Sequence, residues 1–123
     1  MEMHKEKAAA LAAIDEKKEL IAQTADKIWD YAELSMQEVQ SAALLCSVME
    51  QEGFAVEKGI CSIPTAFSAS YGSGKPVIGF LAEYDALSGL SQAAGSTEYH
   101  QLVKGGSGHG CGHNLLGVGA MAA

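Results

Sequence analysis

The sequence predicts an α/β fold in which helices cover both faces of a sheet, the three-layer α/β/α arrangement. The chain would carry two helices, about three strands and the start of a third helix of it. Three observations predict this. Helical hydrophobic spacing fills the first part of the chain, Val77-Ile78-Gly79-Phe80-Leu81-Ala82 is continuously apolar, and a further apolar segment opens after Asn114. A continuous apolar strand belongs to a sheet buried on both faces, and the two helices before it supply a cover.

From about Lys5 to Ala32 one long helix is expected, because Ile14, Ile21, Ala25, Ile28 and Ala32 recur at spacings of seven, four, three and four. Trp29 thickens this stripe and reads as core packing in preference to a ligand-stacking role. Ser35-Met36-Gln37-Glu38 has the form of a capping box and should open a second helix. That helix runs through Val39, Ala42, Ala43, Cys46 and Met49 and stops at Gly53, with Cys46 as a small buried hydrophobe. Residues 54–60 alternate loosely and form a first strand. Residues 65–71 and 76–84 flank Gly72-Ser73-Gly74-Lys75, a turn signal that joins two more. Cys61 lies between these elements and carries no assigned role. Residues 86–110 are rich in Gly, Ser and Gln without periodicity, a long functional loop. Residues 114–123 begin a buried helix.

At 123 residues the chain suits one modest domain. Its 48% apolar and 19% charged content excludes a disordered tail. Eight Lys and Arg against 15 Asp and Glu give a net charge of −7, which argues against a nucleic acid or an anionic membrane as partner. No stretch approaches the roughly 18 to 20 apolar residues that cross a bilayer. The charged start, Met1 to Lys7, is not a signal core, so a cytoplasmic location is expected. Cys46, Cys61 and Cys111 fit no disulfide pattern and are expected as reduced thiols. No Asp, Glu, Lys or Arg follows Lys104. An apolar end of this kind should bury against something, and self-association is the expectation.

Two segments carry side chains suited to chemistry. The apolar strand ends in Glu83-Tyr84-Asp85, and the carboxyl ends of strands border the binding crevice of open α/β sheets. Alternation puts Glu83 and Asp85 on one side and Tyr84 on the other. A solvated strand end is the alternative. The second segment is Gly105-Gly106-Ser107-Gly108-His109-Gly110-Cys111-Gly112-His113-Asn114. A thiolate and an imidazole separated only by glycine can turn toward one metal ion. The helix expected after Asn114 would put its positive end beside Cys111 and favour the thiolate. His109 is either a further ligand, a substrate-facing donor or an exposed loop histidine. A phosphate cradle fails, since neither Gly-x-Gly-x-x-Gly nor Gly-Lys-Ser/Thr occurs. A Cys-His nucleophilic dyad is weakened because such partners come from separate parts of a chain. A flexible linker remains open.

Together, Ala82-Glu83-Tyr84-Asp85-Ala86-Leu87, Gly89-Leu90-Ser91-Gln92 and Gly108-His109-Gly110-Cys111-Gly112-His113-Asn114-Leu115-Leu116-Gly117 resemble the metal-dependent amidohydrolase and aminoacylase family. The branch is that of the p-aminobenzoyl-glutamate hydrolase B subunits, and the likeness extends to Ala32-Glu33-Leu34-Ser35 and Glu38. The resemblance implies that Cys111 and His113 are metal ligands and that Asp85 orients the metal shell. Glu83 stands where more distant relatives place a ligating His. Ser88 replaces the proline usual after Asp-Ala-Leu. Glu83, His109 and Asn114 would line the site.

The activity implied is hydrolysis of the amide bond of an N-acyl, aminobenzoyl-type amino acid or dipeptide. It is assisted by one or two divalent ions, Zn or Mn, and a glutamate base. The base, the other ligands and the lid domain lie further along the family's sequence, so residues 1–123 read as the N-terminal part of the catalytic metal-binding domain. With two good ligands where a catalytic zinc site takes about three, weak metal binding and no activity are expected of the chain itself. The substrate would be a small acyl-amino acid, and the protein partner a second copy or a related amidohydrolase subunit. The alternatives are a non-enzymatic, self-associating interaction protein, and a cysteine hydrolase using Cys111.

Overall fold

A computed structural model describes residues 4–123. The helical first part is two helices, α1 (Lys5–Glu16) and α2 (Lys18–Tyr31), where the sequence led us to expect one. The break falls at Lys17 (φ −99°, ψ 7°), whose amide turns back to the Ile14 carbonyl at 3.1 Å. The Lys17 ammonium reaches across to Glu52 at 2.6 Å. No residue of α1 is buried and Ile14 is exposed. The apolar stripe therefore works only from Ile21 onward.

Helix α3 (Val39–Gln51) begins without the expected capping box. Met36 is left-handed (φ 64°), and Glu38 at the N-cap makes no side-chain cap. Glu33 caps the helix from outside. Its Oε1 accepts from the Gln40 amide at 2.9 Å, and its Oε2 accepts from the Ser41 amide at 2.9 Å and the Ser41 hydroxyl at 2.8 Å. Burial pushes the Glu33 carboxyl up, but these bonds outweigh it and hold the group below its ordinary value. Glu38 is buried and accepts from the Thr65 hydroxyl at 2.8 Å. Gly53 (φ 88°) follows the helix, where the sequence placed the stop.

Strands β1 (Ala55–Lys58) and β2 (Phe67–Ser70) pair antiparallel, from Ala55 against Ser70 to Lys58 against Phe67. The third expected strand, residues 76–84, does not form. Val77, Ile78, Phe80 and Leu81 are exposed, Leu81 to 96%. A buried strand needs hydrogen-bonded neighbours and covered faces. Among the described residues no segment pairs with this one. The chain regains partners just beyond, where Ala86 donates to the Glu33 carbonyl at 2.7 Å and Leu87 pairs with Gly108. The described residues form a mixed α/β arrangement of four α-helices and a two-stranded sheet, and among them the layered sheet that the apolar run suggested is not seen.

Helix α4 (His113–Ala122) lies on α2, and Ala25, Ile28, Leu45 and Val118 form the core between the helices. Ile21, Leu44, Phe67, Tyr84 and Met121 pack around it. Cys46 is buried, as its position on α3 predicted, and desolvation raises its thiol pKa. Trp29 is outside this core and faces the loop before α4. Residues 88–112 contain no helix or strand. Among the described residues no helix is long and apolar enough to cross a membrane.

Candidate active site

Glu83 and Asp85 both face His113, while Tyr84 points the other way. The Tyr84 hydroxyl donates to the Thr65 carbonyl. Burial first, then the negative charge of Glu38 and its neighbours, pushes its pKa up to about 12. Helix α4 can press against this backbone because Gly117 is there: a Cβ on it would stand 3.1 Å from the Tyr84 Cβ and 3.2 Å from the Glu83 carbonyl oxygen.

That close approach brings His113, the first residue of α4, to the acids. Its Nδ1 lies 2.8 Å from Asp85 Oδ1, and its Nε2 lies 3.6 Å from Glu83 Oε1, beyond hydrogen-bond length. A carboxylate only accepts, so Nδ1 carries a proton and donates it to Asp85. In the neutral ring, Nε2 is then the nitrogen with a free lone pair. The His113 and Asp85 side chains are mostly covered, whereas Glu83 is 57% exposed.

The loop before α4 is tied to α2 by side chains. His109 is 5% exposed, so it is not an exposed loop histidine. Its Nε2–H donates to the Ile28 carbonyl at 3.0 Å, and its ring stacks on Trp29 at 6.2 Å. Burial pulls its pKa below the ordinary imidazole value, and the bond to Ile28 offsets this only in part. Its Nδ1 is buried without a partner. Asn114, also buried, donates from Nδ2 to the Ala25 carbonyl at 3.2 Å, and its Oδ1 is unpartnered. The Ser107 hydroxyl donates to the Ala32 carbonyl. None of these anchors leaves a periodic signal in a glycine-rich loop, and the sequence reading missed Ser107 and the pairing of Trp29 with His109.

Between the anchors, Cys111 is exposed and precedes Gly112, the left-handed N-cap of α4 (φ 74°). That backbone state is costly for other residues and free for glycine. The thiol thus stands at the positive end of a helix, as the sequence suggested. As a donor set for a divalent ion, an exposed thiol and an imidazole oriented by a carboxylate suit zinc chemically. They are too few for a complete site. Among the described residues no group of three or more His, Cys, Asp and Glu side chains could hold a metal ion.

This mixed α/β chain belongs to the metal-dependent amidohydrolase and peptidase family, by homology along most of its length. It is 50% identical to the B subunit of p-aminobenzoyl-glutamate hydrolase from Escherichia coli (strain K12) over 111 residues, covering 90% of this chain and 23% of that protein. It is 32% identical to the Xaa-Arg dipeptidase of Homo sapiens over 124 aligned residues, covering 89% of this chain and 24% of that protein. The chain therefore spans about a quarter of the length of these relatives. No protein-family profile matches it.

Proposed function

We propose that the chain supplies the first half of a metallo-amidohydrolase site, with Cys111 and His113 as metal ligands and Asp85 as the residue that orients His113. The reaction served is hydrolysis of the amide bond of an N-acyl, aminobenzoyl-type amino acid or a dipeptide. The observation that carries this reading is the hydrogen bond between His113 Nδ1 and Asp85 Oδ1. Carboxylate–histidine pairs of this kind fix the tautomer and aim of a metal-binding imidazole. A divalent ion, Zn or Mn, would lower the pKa of water and polarise the scissile carbonyl. The chain's own contribution is to hold the ring by Nδ1, keep Nε2 available and present a thiol at a helix N-terminus.

Residues 1–123 are, in this reading, the N-terminal part of a catalytic metal-binding domain whose complete sheet has the three-layer arrangement. The protein is cytoplasmic and acts on a small molecule, one or two ions serve the complete site, and the partner is a second copy or a related amidohydrolase chain. With two proposed ligands where a catalytic zinc site takes about three, the chain alone binds metal weakly and has no amidase activity. Isothermal titration with Zn²⁺ and Mn²⁺ tests this. Weak binding lost in Cys111→Ser and in His113→Ala is expected, and tight stoichiometric binding would overturn the half-site.

A non-enzymatic, self-associating protein is the second reading, favoured by the exposed row Val77, Ile78, Phe80 and Leu81. A monodisperse monomer by light scattering at high concentration would count against it. A cysteine hydrolase predicts amidase activity that iodoacetamide blocks and EDTA leaves intact.

A further inference from the structure

His109 and Asn114 bracket the Cys111-Gly112-His113 turn, and both donate to carbonyls on one face of α2. Their acceptors, Ile28 and Ala25, are three residues apart, and Ser107 adds Ala32 four residues further on. That spacing puts Ala25 and Ile28 on one side of α2, and Ala32 is the left-handed residue that ends the helix (φ 44°). The Ile28 carbonyl already accepts the Ala32 amide at 3.1 Å, so capping it is not what His109 is needed for. The turn has little rigidity of its own. Gly110 and Gly112 flank Cys111, and the one backbone bond that closes the turn is from the Gly112 amide to the His109 carbonyl at 3.1 Å. The other half of the pair hangs from the same helix end: Glu33, two residues past α2, receives the Ala86 amide at 2.7 Å and so places Asp85.

We infer that His109 and Asn114 are positioning residues that register the Cys111–His113 turn on α2, and through it set the Asp85–His113 pair. Neither touches a metal or substrate. Both leave a buried polar atom unpartnered, His109 Nδ1 and Asn114 Oδ1. Such a cost is expected of groups kept for geometry and not for stability. The inference rests on the proposed role of Cys111 and His113, but its geometric part can be read without metal.

The test uses the whole chain, labelled with ¹⁵N, and long-range ¹H–¹⁵N spectra that report the tautomer of His113. His109→Phe keeps the ring volume and the stacking on Trp29 but removes the donor, whereas His109→Gln keeps a donor. The wild-type chain and His109→Gln should hold His113 in the Nδ1–H form. His109→Phe should show a mixed tautomer at an unchanged melting temperature, with Zn²⁺ affinity lowered about tenfold. Asn114→Leu, of similar size, removes the second bond and should give the same mixed tautomer, so a His109→Phe chain that fails to fold does not close the question. An unchanged His113 tautomer in the folded bond-deleting variants overturns the inference. If the tautomer responds as stated but no chain binds Zn²⁺, the metal reading fails and the positioning role stands.

Discussion

Asp85 Oδ1 and His113 Nδ1 meet at 2.8 Å across 28 residues of sequence, and the two residues are carried by different supports. Asp85 sits beside Ala86, which is bound to the chain leaving α2, while His113 opens α4. The pair is therefore a measure of how α2 and α4 are registered. Replacing Asp85 with Ala frees the ring without leaving a buried charge, since His113 is partly solvated. Zn²⁺ affinity should fall by about tenfold to a hundredfold, read by titration calorimetry, while the melting temperature changes little. Asp85→Asn, which still accepts a hydrogen bond, should lose less.

Glu33 makes acid a specific destabilising agent. Its folded pKa is lowered, so its contribution is present above the ordinary glutamate value of about 4.3 and is lost as pH falls through the folded value. Glu33→Gln should cost about 0.5–2 kcal/mol at pH 7, the range of a lost helix cap. In urea melts the gap between wild type and variant should close toward pH 3. A gap that stays constant with pH would show that the charge on Glu33 does not matter to the fold.

Two glycines of α4 should respond in opposite directions to alanine. Gly119 has open space where a Cβ would go, so Gly119→Ala should stabilise by about 0.5–1 kcal/mol through helix propensity. Gly117 faces the Glu83 and Tyr84 backbone region at 3.1–3.2 Å, so the same change there forces α4 outward and should destabilise by about 1–3 kcal/mol. Thermal denaturation of the two single variants decides this.

Gly108 is the tightest position in the loop. A Cβ there would lie 2.1 Å from the Leu90 carbonyl oxygen, a backbone atom that cannot swing aside. Gly108→Ala should break the pairing of Gly108 with Leu87 and loosen the whole segment ahead of α4. The expected readout is faster hydrogen exchange at the Leu87 and Gly108 amides, which now bond each other's carbonyls at 3.0 Å.

The sequence was most legible where local rules act alone. The body of α3, its stop at Gly53, β1, β2 and α4 follow from periodicity and turn residues. It was misleading where local and non-local partners compete. The Ser35 to Glu38 box lost to Glu33, whose carboxylate reaches two amides and a hydroxyl at once. The apolar run 77–82 satisfies every local criterion for a buried strand, yet strands are completed by neighbours, and none stands beside it among the described residues. Of the proposed site, Asp85, Cys111 and His113 stood out in the sequence as residue types, and the structure brings Asp85 and His113 into contact. The buried roles of His109 and Asn114 were not, because their acceptors are main-chain carbonyls 81 and 89 residues away.

Cobalt substitution tests the central claim most directly, since a thiolate bound to Co²⁺ has a charge-transfer absorption that an imidazole or carboxylate lacks. Titration of the wild-type chain should develop that band at weak affinity. Cys111→Ser and His113→Ala should each abolish it. Co²⁺ binding without a thiolate band, or with equal affinity in wild type and Cys111→Ser, would contradict the assignment of Cys111 and His113 as the paired ligands.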